Sequence, residues 1–218
     1  MVCLYMPSLW LLLATLLIAG AVGRIVAHRR RQLRTLRDLA RRHRLNFSPE
    51  DLIGLHERYQ NLDLIRRGHN RHAWNVVYGS AEPGLIALFG YSYDLGFGAN
   101  RTAHQYWIVV IETPRAHHHW QAFSGESACR PVGEPRRIGP FDVWADHPAT
   151  LSELLDAGLE STFHKAPANY RWEARGTLLA VATPMQPDPQ TPEQLLTTAC
   201  ELALRLPTPN TRETMSLS

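Results

Sequence analysis

The chain has 218 residues and a formal net charge of +3, from 23 basic and 20 acidic residues. This length allows one ordinary domain with a real core, once an N-terminal segment and a tail are set aside. The charge is unevenly placed, because residues 1–44 carry +8 and residues 45–218 carry −5. An acidic body argues against a nucleic-acid-binding protein. Three isolated cysteines without metal-ligand spacing argue against a secreted disulfide framework.

The first 23 residues predict a transmembrane anchor. Residues 2–23 contain no charged side chain, and the stretch from Leu9 to Ala19 is almost wholly apolar. A spanning helix needs about 20 such residues, and a helix satisfies every backbone amide within lipid. A cleaved signal peptide is the alternative, because Ala19-Gly20-Ala21 has the small residues of a cleavage site. No positive segment precedes the apolar stretch, however, so a retained anchor is favoured.

Residues 24–45 predict an arginine-rich juxtamembrane helix that continues the anchor. Apolar residues recur at three- and four-residue spacings from Leu33 to Ala40, with basic residues on the other faces. The positive-inside rule then predicts a single-pass protein of the inner membrane, with its N-terminus outside and its C-terminal domain in the cytoplasm. Five arginines are expected to contact anionic lipid headgroups: Arg24, Arg29, Arg30, Arg31 and Arg34. A purely topological signal without lipid preference is the alternative.

The body, residues 46–206, is predicted to form a single α+β domain. Its first segment, residues 46–51, indicates a helix start, with Ser48 as the cap and Pro49 at the first helical position. Apolar residues between Leu52 and Tyr59 predict a short amphipathic helix after this start, and a polar, basic link over residues 66–72 follows it.

Three apolar stretches with a two-residue period predict an antiparallel meander, with strands at 74–78, 85–93 and 104–113. A turn at 82–84 and a glycine-rich loop at 96–100 connect these strands. Pro114 is expected to end the third strand because it lacks a backbone N–H.

The second half of the body adds four predicted elements: a strand at 141–145, a helix at 148–159 capped by Asp146, a hairpin at 170–182 with its turn at Arg175-Gly176, and a helix at 191–206 begun by a capping box at Thr191. Residues 208–218 predict disorder, so the tail is placed at 207–218. Because strands and helices do not alternate regularly, helices packed on an antiparallel sheet are favoured over a doubly wound parallel sheet.

No group of residues has the spacing of a catalytic or metal site, so no cofactor is predicted. Ser92 lies in Gly90-Tyr91-Ser92-Tyr93-Asp94, which lacks the last glycine of a nucleophile elbow and lies within a strand. His117, His118 and His119 form the densest histidine cluster, and His104 could approach them. Adjacent residues of an extended chain point to opposite faces, however, so a solvated loop is expected there.

Several of these features together resemble a loosely defined set of uncharacterised bacterial single-pass membrane-anchored proteins. The shared features are an N-terminal anchor, an arginine-rich helix at 24–44, the step Tyr91-Ser92-Tyr93, a glycine-rich hairpin at 96–100, and the strand and helix over 141–159. The resemblance implies this architecture and carries no activity.

Two functions follow from these residues. The first is a non-enzymatic, membrane-anchored protein whose cytoplasmic domain binds an unknown protein partner or the membrane surface. The alternative is a membrane-tethered hydrolase that uses Ser92, His104 and the histidines at 117–119. The enzyme requires Ser92 within about 3 Å of a histidine nitrogen, since a general base must be in hydrogen-bond reach of its nucleophile.

Overall fold

The computed structural model describes residues 6–125, 134–186, 188 and 190–206, with side chains from residue 13 onward. Within these ranges, seven antiparallel strands form one sheet with helices on both faces, so the predicted α+β class is confirmed. No helix in the same ranges is long and apolar enough to span a membrane. The predicted tail at 207–218 lies outside the described residues.

The N-terminal helix, α1, runs without interruption from Met6 to Arg42. The apolar stretch and the arginine-rich segment therefore form one helix, as their sequence predicts. Near its C-terminal end, Leu36, Leu39 and Ala40 are buried in the core of the body. The chain then turns so that Leu45 packs against Gly79.

The sheet is built around one long central strand. In chain order the strands are β1 (Asn46–Glu50), β2 (His69–Ala81), β3 (Gly84–Leu95), β4 (Thr102–Phe123), β5 (Arg136–Ile138), β6 (Phe141–Ala145) and β7 (Arg171–Pro184). Their order is β1-β2-β3-β4-β6-β5, and β7 pairs with the other side of β4. The predicted meander is confirmed in β2, β3 and β4, which extend beyond their predicted bounds.

Five further helices cover the sheet: α2 (Leu55–Arg58), α3 (Asp63–Arg66), α4 (Pro148–Asp156), α5 (Leu159–Lys165) and α6 (Thr191–Arg205). Side chains of β3 alternate between two clusters, so that Ile86 and Leu88 pack with α1 and α6 whereas Ala87 and Phe89 pack with α2 and α3. We call these two sides of the sheet the α6 face and the α3 face.

The segment from Asn46 to Glu50 is a strand, so the helix start predicted there is wrong. Asn46 pairs with Tyr78 and Glu50 with Trp74 on β2. Ser48 Oγ donates a 2.6 Å hydrogen bond to the Glu50 carbonyl oxygen and accepts the Glu50 N–H at 3.2 Å. The local Ser-Pro signal is overridden because the segment completes the edge of the sheet.

The first short helix of the body begins later, at Leu55. The Asp51 carboxylate accepts the N–H groups of Ile53 at 3.2 Å and Leu55 at 2.9 Å. Asp51 therefore supplies the side-chain hydrogen bonds at this turn that Ser48 was predicted to supply.

Pro114 does not end β4, which continues to Phe123. The register between β4 and β7 shifts on both sides of His117, and Pro114 lies in this irregular stretch, where its missing N–H is tolerated. Odd-numbered residues up to Ile111 face the α6 side, whereas even-numbered residues do so from Trp120 onward. The bulge thus reverses the alternation, which is why the pattern appears to stop at Pro114.

The hairpin predicted at 170–182 is one strand, β7, that bends where β4 bends. Gly176, with a φ of 58°, pairs directly with His117 at the centre of the β4 irregularity. The glycine permits a bend within the strand and not a chain reversal.

Three smaller predictions about helix ends are also wrong. The helix predicted at 148–159 is divided into α4 and α5 at Gly158, whose φ is 73°. The N-cap residue of α4 is His147, without a side-chain cap from Asp146. The N-cap residue of α6 is Gln190, one residue before the predicted cap Thr191.

Candidate functional site

An open groove of about 920 Å³ lies between α1 and the end of the sheet nearest the β3–β4 hairpin. Its roof is formed by α1 and its floor by strands β2, β3 and β4. The lining side chains come from these elements and from the 49–56 and 185 segments: Arg29, Gln32, Leu33, Pro49, Glu50, Asp51, His56, Arg71, His72, Ala73, Trp74, Asn75, Ser92, Gln105 and Met185.

The strand register assembles the floor of the groove. His72 pairs with Ser92 across β2 and β3, and Ser92 pairs with Gln105 across β3 and β4. One step further into the sheet, Trp74 pairs with Gly90. Paired residues of antiparallel strands share a face, so these five side-chain positions point toward α1.

Trp74 packs against Gly90 and forms an aromatic platform in the groove. A Cβ atom placed on Gly90 would lie 2.8 Å from Trp74 Cε2, so the indole rests directly on the glycine backbone. The His72 imidazole stacks on Trp74, with ring centroids 5.7 Å apart and planes 16° from parallel. The platform therefore depends on a glycine at position 90.

Gly90→Ala is expected to lower the free energy of unfolding by about 1–3 kcal/mol, because the added methyl group overpacks against the indole. Chemical denaturation followed by tryptophan fluorescence measures this change. In a Trp74→Ala background, Gly90→Ala is expected to cost much less, because contacting residues are coupled. An equal cost in both backgrounds would contradict this account of the platform.

The groove combines hydrogen-bonding groups with both signs of charge. Arg29 and Arg71 contribute guanidinium groups, and Glu50 and Asp51 contribute carboxylates. Ser92 is half-buried at the centre of the floor. An aromatic platform beside convergent polar groups is suited to binding a polar ligand or a peptide segment.

The predicted hydrolase residues are not brought together. Ser92 lies within β3, three residues before its end, without the strand-to-helix turn of a nucleophile elbow. His104 pairs with Tyr93, the residue next to Ser92, and stacks on its ring, so His104 lies on the opposite face of the sheet. His117 is twelve positions along β4 from Gln105, the partner of Ser92, which corresponds to about 40 Å of strand.

The three histidines at 117–119 lie in β4, so the solvated loop predicted there is wrong. His117 Nε2 lies 3.1 Å from Thr113 Oγ1, within the bulge. The His118 ring packs against the His147 ring, with centroids 5.4 Å apart. His119 belongs to a polar cluster on the α3 face.

This polar cluster is centred on Glu173 of β7, whose side chain is 1% exposed. Glu173 Oε1 accepts the Asp63 N–H at 2.8 Å, and Oε2 accepts the Leu64 N–H at 2.9 Å. Gln121 Nε2 donates to Asp63 Oδ2 at 2.8 Å and lies 3.2 Å from His119 Nε2. The cluster therefore ties α3 to strands β4 and β7.

Asp63, His119 and Glu173 place one potential ligand atom each within 4.8 Å of one another, which is close enough to hold a metal ion. The hydrogen bonds to Glu173 and Asp63, together with Arg66 Nη2 at 3.1 Å from Asp63 Oδ1, give these carboxylates partners within the protein. We interpret the cluster as a structural tie. Sequence reasoning missed it, although Gln121 and Glu173 are polar residues among buried neighbours on paired strands.

The pKa values of His117 and His119 are expected to be shifted in opposite directions from the ordinary histidine value. The Glu173 carboxylate, 3.6 Å from His119 Nε2, and Asp146, 3.1 Å from Nδ1, raise the pKa of His119 above its ordinary value near 6.5. Burial, with a smaller contribution from Arg115, lowers the pKa of His117 below the same value. Imidazole NMR signals followed against pH measure both values.

The sign of the stability effect follows from the raised pKa of His119. The contribution of protonated His119 to the free energy of unfolding is fully present below pH 6.5. This contribution is lost as the pH rises through the folded-state pKa of His119. Asp146→Asn is expected to lower the pKa of His119 and leave that of His117 unchanged. A common shift of both histidines would contradict this assignment.

The five arginines predicted to contact lipid headgroups, Arg24, Arg29, Arg30, Arg31 and Arg34, are all exposed on α1. Two later arginines of the same helix contact the body instead. Arg37 lies over the Phe47 ring, 5.5 Å from its centroid, and Arg42 Nη2 is 2.9 Å from Glu193 Oε2. The basic segment thus has an exposed part and a part docked on the domain.

No protein-family model and no curated protein matches the chain. Among solved structures, the chain is similar to the crystal structure of the mycobacterial trehalose monomycolate transport factor A, TtfA. The TM-score is 0.60 and the identity 16%, and the match covers 82% of this chain and 98% of that chain. At this identity the likeness shows a shared fold.

Proposed function

We propose that the chain is a non-enzymatic accessory protein, held on the cytoplasmic face of the inner membrane by α1, that binds a partner at the membrane surface. The observation that carries this proposal is the exposure of apolar side chains on α1, among them Leu16 (68%), Leu17 (74%) and Ile18 (64%). An exposed patch of this kind marks a surface that is covered by another molecule. Lipid is the covering that also accounts for the uncharged stretch over residues 2–23.

The charge of α1 supports the orientation. The exposed arginines begin at Arg24, directly after the uncharged stretch, and positive charge near one end of a span holds that end in the cytoplasm. The same arginines would then face anionic headgroups, each contributing about 1 kcal/mol close to the surface. The N-terminus would lie outside and the body inside.

The similar solved structure supports the kind of role. That protein is named as a transport factor for trehalose monomycolate. By analogy, this chain would assist the handling of a lipid without catalysing a reaction. The separation of Ser92 from His104 and from the histidines at 117–119 agrees with a role in binding and disfavours the hydrolase.

The groove is the proposed binding site on the body. It opens beside Arg29, Gln32 and Leu33, immediately after the part of α1 assigned to the membrane. A partner protein or a lipid headgroup at the surface would reach it without crossing the body. The aromatic platform and polar floor would supply the contacts.

Membrane retention of the full chain tests the anchor. Membranes from cells that express it are washed with high salt and alkaline carbonate, and the wild-type chain is expected to remain in the pellet. Leu17→Arg combined with Ile18→Arg is expected to release it, because each arginine near the centre of a span costs about 3 kcal/mol.

Leu17→Ala combined with Ile18→Ala is the matched control, and this variant is expected to stay in the pellet because it adds no charge. Extraction of the wild-type chain by carbonate would reject the transmembrane anchor. Extraction by salt alone would indicate binding through the arginines only.

A further inference from the structure

The β3–β4 hairpin and the projecting part of α1 extend from the same end of the body. Leu45, just after α1, packs on Gly79, whereas Leu33 and Arg29 lie over His72 and Trp74 in the groove. The helix therefore runs along β2 toward the end of the sheet where β3 meets β4. Both the residues before Arg29 and the hairpin tip continue past the groove in this direction.

The tip reaches about as far as the apolar part of α1. The Phe97 ring stacks on His69, which pairs with Asp94, so this ring lies about 7 Å past Ser92 in the groove. From Arg29 to Arg24, five helical residues span about 8 Å. Phe97 thus lies at about the level of Arg24, where the uncharged stretch of α1 ends and the interfacial region would begin.

Phe97 is an exposed aromatic side chain held in a defined position. Its side chain is 80% exposed, and its ring stacks on the His69 imidazole with centroids 4.5 Å apart and planes 6° from parallel. The turn around it is tight, because a Cβ placed on Gly96 would lie 2.5 Å from the Asn100 carbonyl oxygen. A short 3₁₀ turn over Gly98–Asn100 completes the tip.

The charges near the tip suit a membrane interface. Arg101 Nη2 lies 2.7 Å from Asp94 Oδ2, and Asn70 also donates to this carboxylate, so the acid is neutralised and nearly buried. Arg71 is exposed on the neighbouring strand. The acids of the groove, Glu50 and Asp51, are set back at the level of Trp74.

We propose that the β3–β4 hairpin tip is a second membrane contact, in which Phe97 inserts into the interfacial region of the anionic bilayer that holds α1. This inference rests on the proposed function, because the bilayer is the one that α1 enters. Two contacts, one through a helix and one through a hairpin, fix how the body is rotated about the helix axis. The groove between them then opens toward the headgroups.

Fluorescence quenching of the full chain in nanodiscs tests the hairpin contact. The native cysteines are first removed by Cys3→Ser, Cys129→Ser and Cys200→Ala. A single new cysteine then carries an environment-sensitive dye in each of three variants: Ala99→Cys, Ser80→Cys and Leu17→Cys. Position 99 lies on the tip, position 80 is exposed at the opposite end of β2, and position 17 lies on α1. The discs contain phosphatidylcholine and phosphatidylglycerol, with lipids spin-labelled either near the headgroup or deep in the acyl chains.

The dye at position 99 is expected to lose most of its fluorescence to headgroup-region labels, whereas the dye at position 80 is unaffected. Phe97→Ser is expected to abolish the quenching at position 99. Equal quenching at positions 99 and 80 would overturn the inference, and so would quenching that survives Phe97→Ser. Deep labels that quench position 17 would keep the proposed anchor even then, whereas no quenching at position 17 would overturn the anchor.

Discussion

Replacing Glu173 with alanine is expected to lower the free energy of unfolding by about 2–4 kcal/mol, because two hydrogen bonds to a buried carboxylate are lost at once. The N–H groups of Asp63 and Leu64 both donate to Glu173, so removal of the carboxylate leaves two backbone donors at the start of α3 without their acceptor. Denaturant unfolding of the full chain in micelles, followed by tryptophan fluorescence, measures the change.

Glu173→Gln is the matched variant, because the amide keeps the shape and one acceptor oxygen. Its expected cost is smaller than that of Glu173→Ala but not zero, since the amide NH₂ group faces a backbone donor. Local amide hydrogen exchange is expected to rise first in residues 62–66, which pack on the strands through this cluster. If Glu173→Ala and Glu173→Gln both left the free energy of unfolding nearly unchanged, α3 would be held by buried apolar residues alone, including Leu62 and Ile65.

Leu36→Ala combined with Leu39→Ala is expected to have the largest effect, a loss of about 5 kcal/mol. Both side chains are buried in the core of the α6 face, at 0% and 1% exposure, and a buried Leu→Ala change costs about 2–5 kcal/mol. This loss is comparable with the total stability of many domains. Unfolding measured as for Glu173 gives the size of the change.

Arg41→Ala is the control, because this side chain is exposed on the same turn of α1 and its ion pair with Asp38 is long, at 3.9 Å. A change within about 0.5 kcal/mol is expected there. A similarly small change for the leucine pair would mean that α1 is not part of the core. A fragment beginning at Asn46 is expected to expose the apolar surface that Leu36 and Leu39 cover.

Local patterns were sufficient to predict the meander and the last helix. The period of two over residues 74–113 places alternate side chains on the two faces of the sheet, and the turn at 82–84 joins Ala81 to its partner Gly84. The apolar spacing over 191–206 similarly predicts α6, which ends within one residue of the expected position. These elements depend on side chains close together in the sequence.

The errors occur where distant segments decide the structure. Pro114 and Gly176 each resemble the end of a strand, yet the two irregular stretches pair through His117 and bend together. The sequence around Pro114 or around Gly176 does not indicate that these two stretches pair with each other. Ser48 likewise has a helix-capping pattern that is overridden when β1 adds to the sheet beside β2.

The groove and the polar cluster were beyond sequence reasoning for the same reason. Glu173 meets its partners on α3 across 109 and 110 residues of chain. Ser92 was identified as a candidate nucleophile, but its real neighbours are Gln105 and His72 on the adjacent strands. The exposure of the arginines on α1 could be predicted, because helical periodicity places them on faces other than that of the apolar residues.

The continuity of α1 couples the orientation of its N-terminal half to that of the body. The 37 residues of the helix extend for about 55 Å, and Leu36 and Leu39 anchor the helix by their burial in the core of the body. A tilt of the N-terminal half would therefore tilt the body through the same angle. The 12 residues from Arg24 to Leu36 span about 18 Å, which is the distance along the helix from Arg24 to the first leucine held in the core.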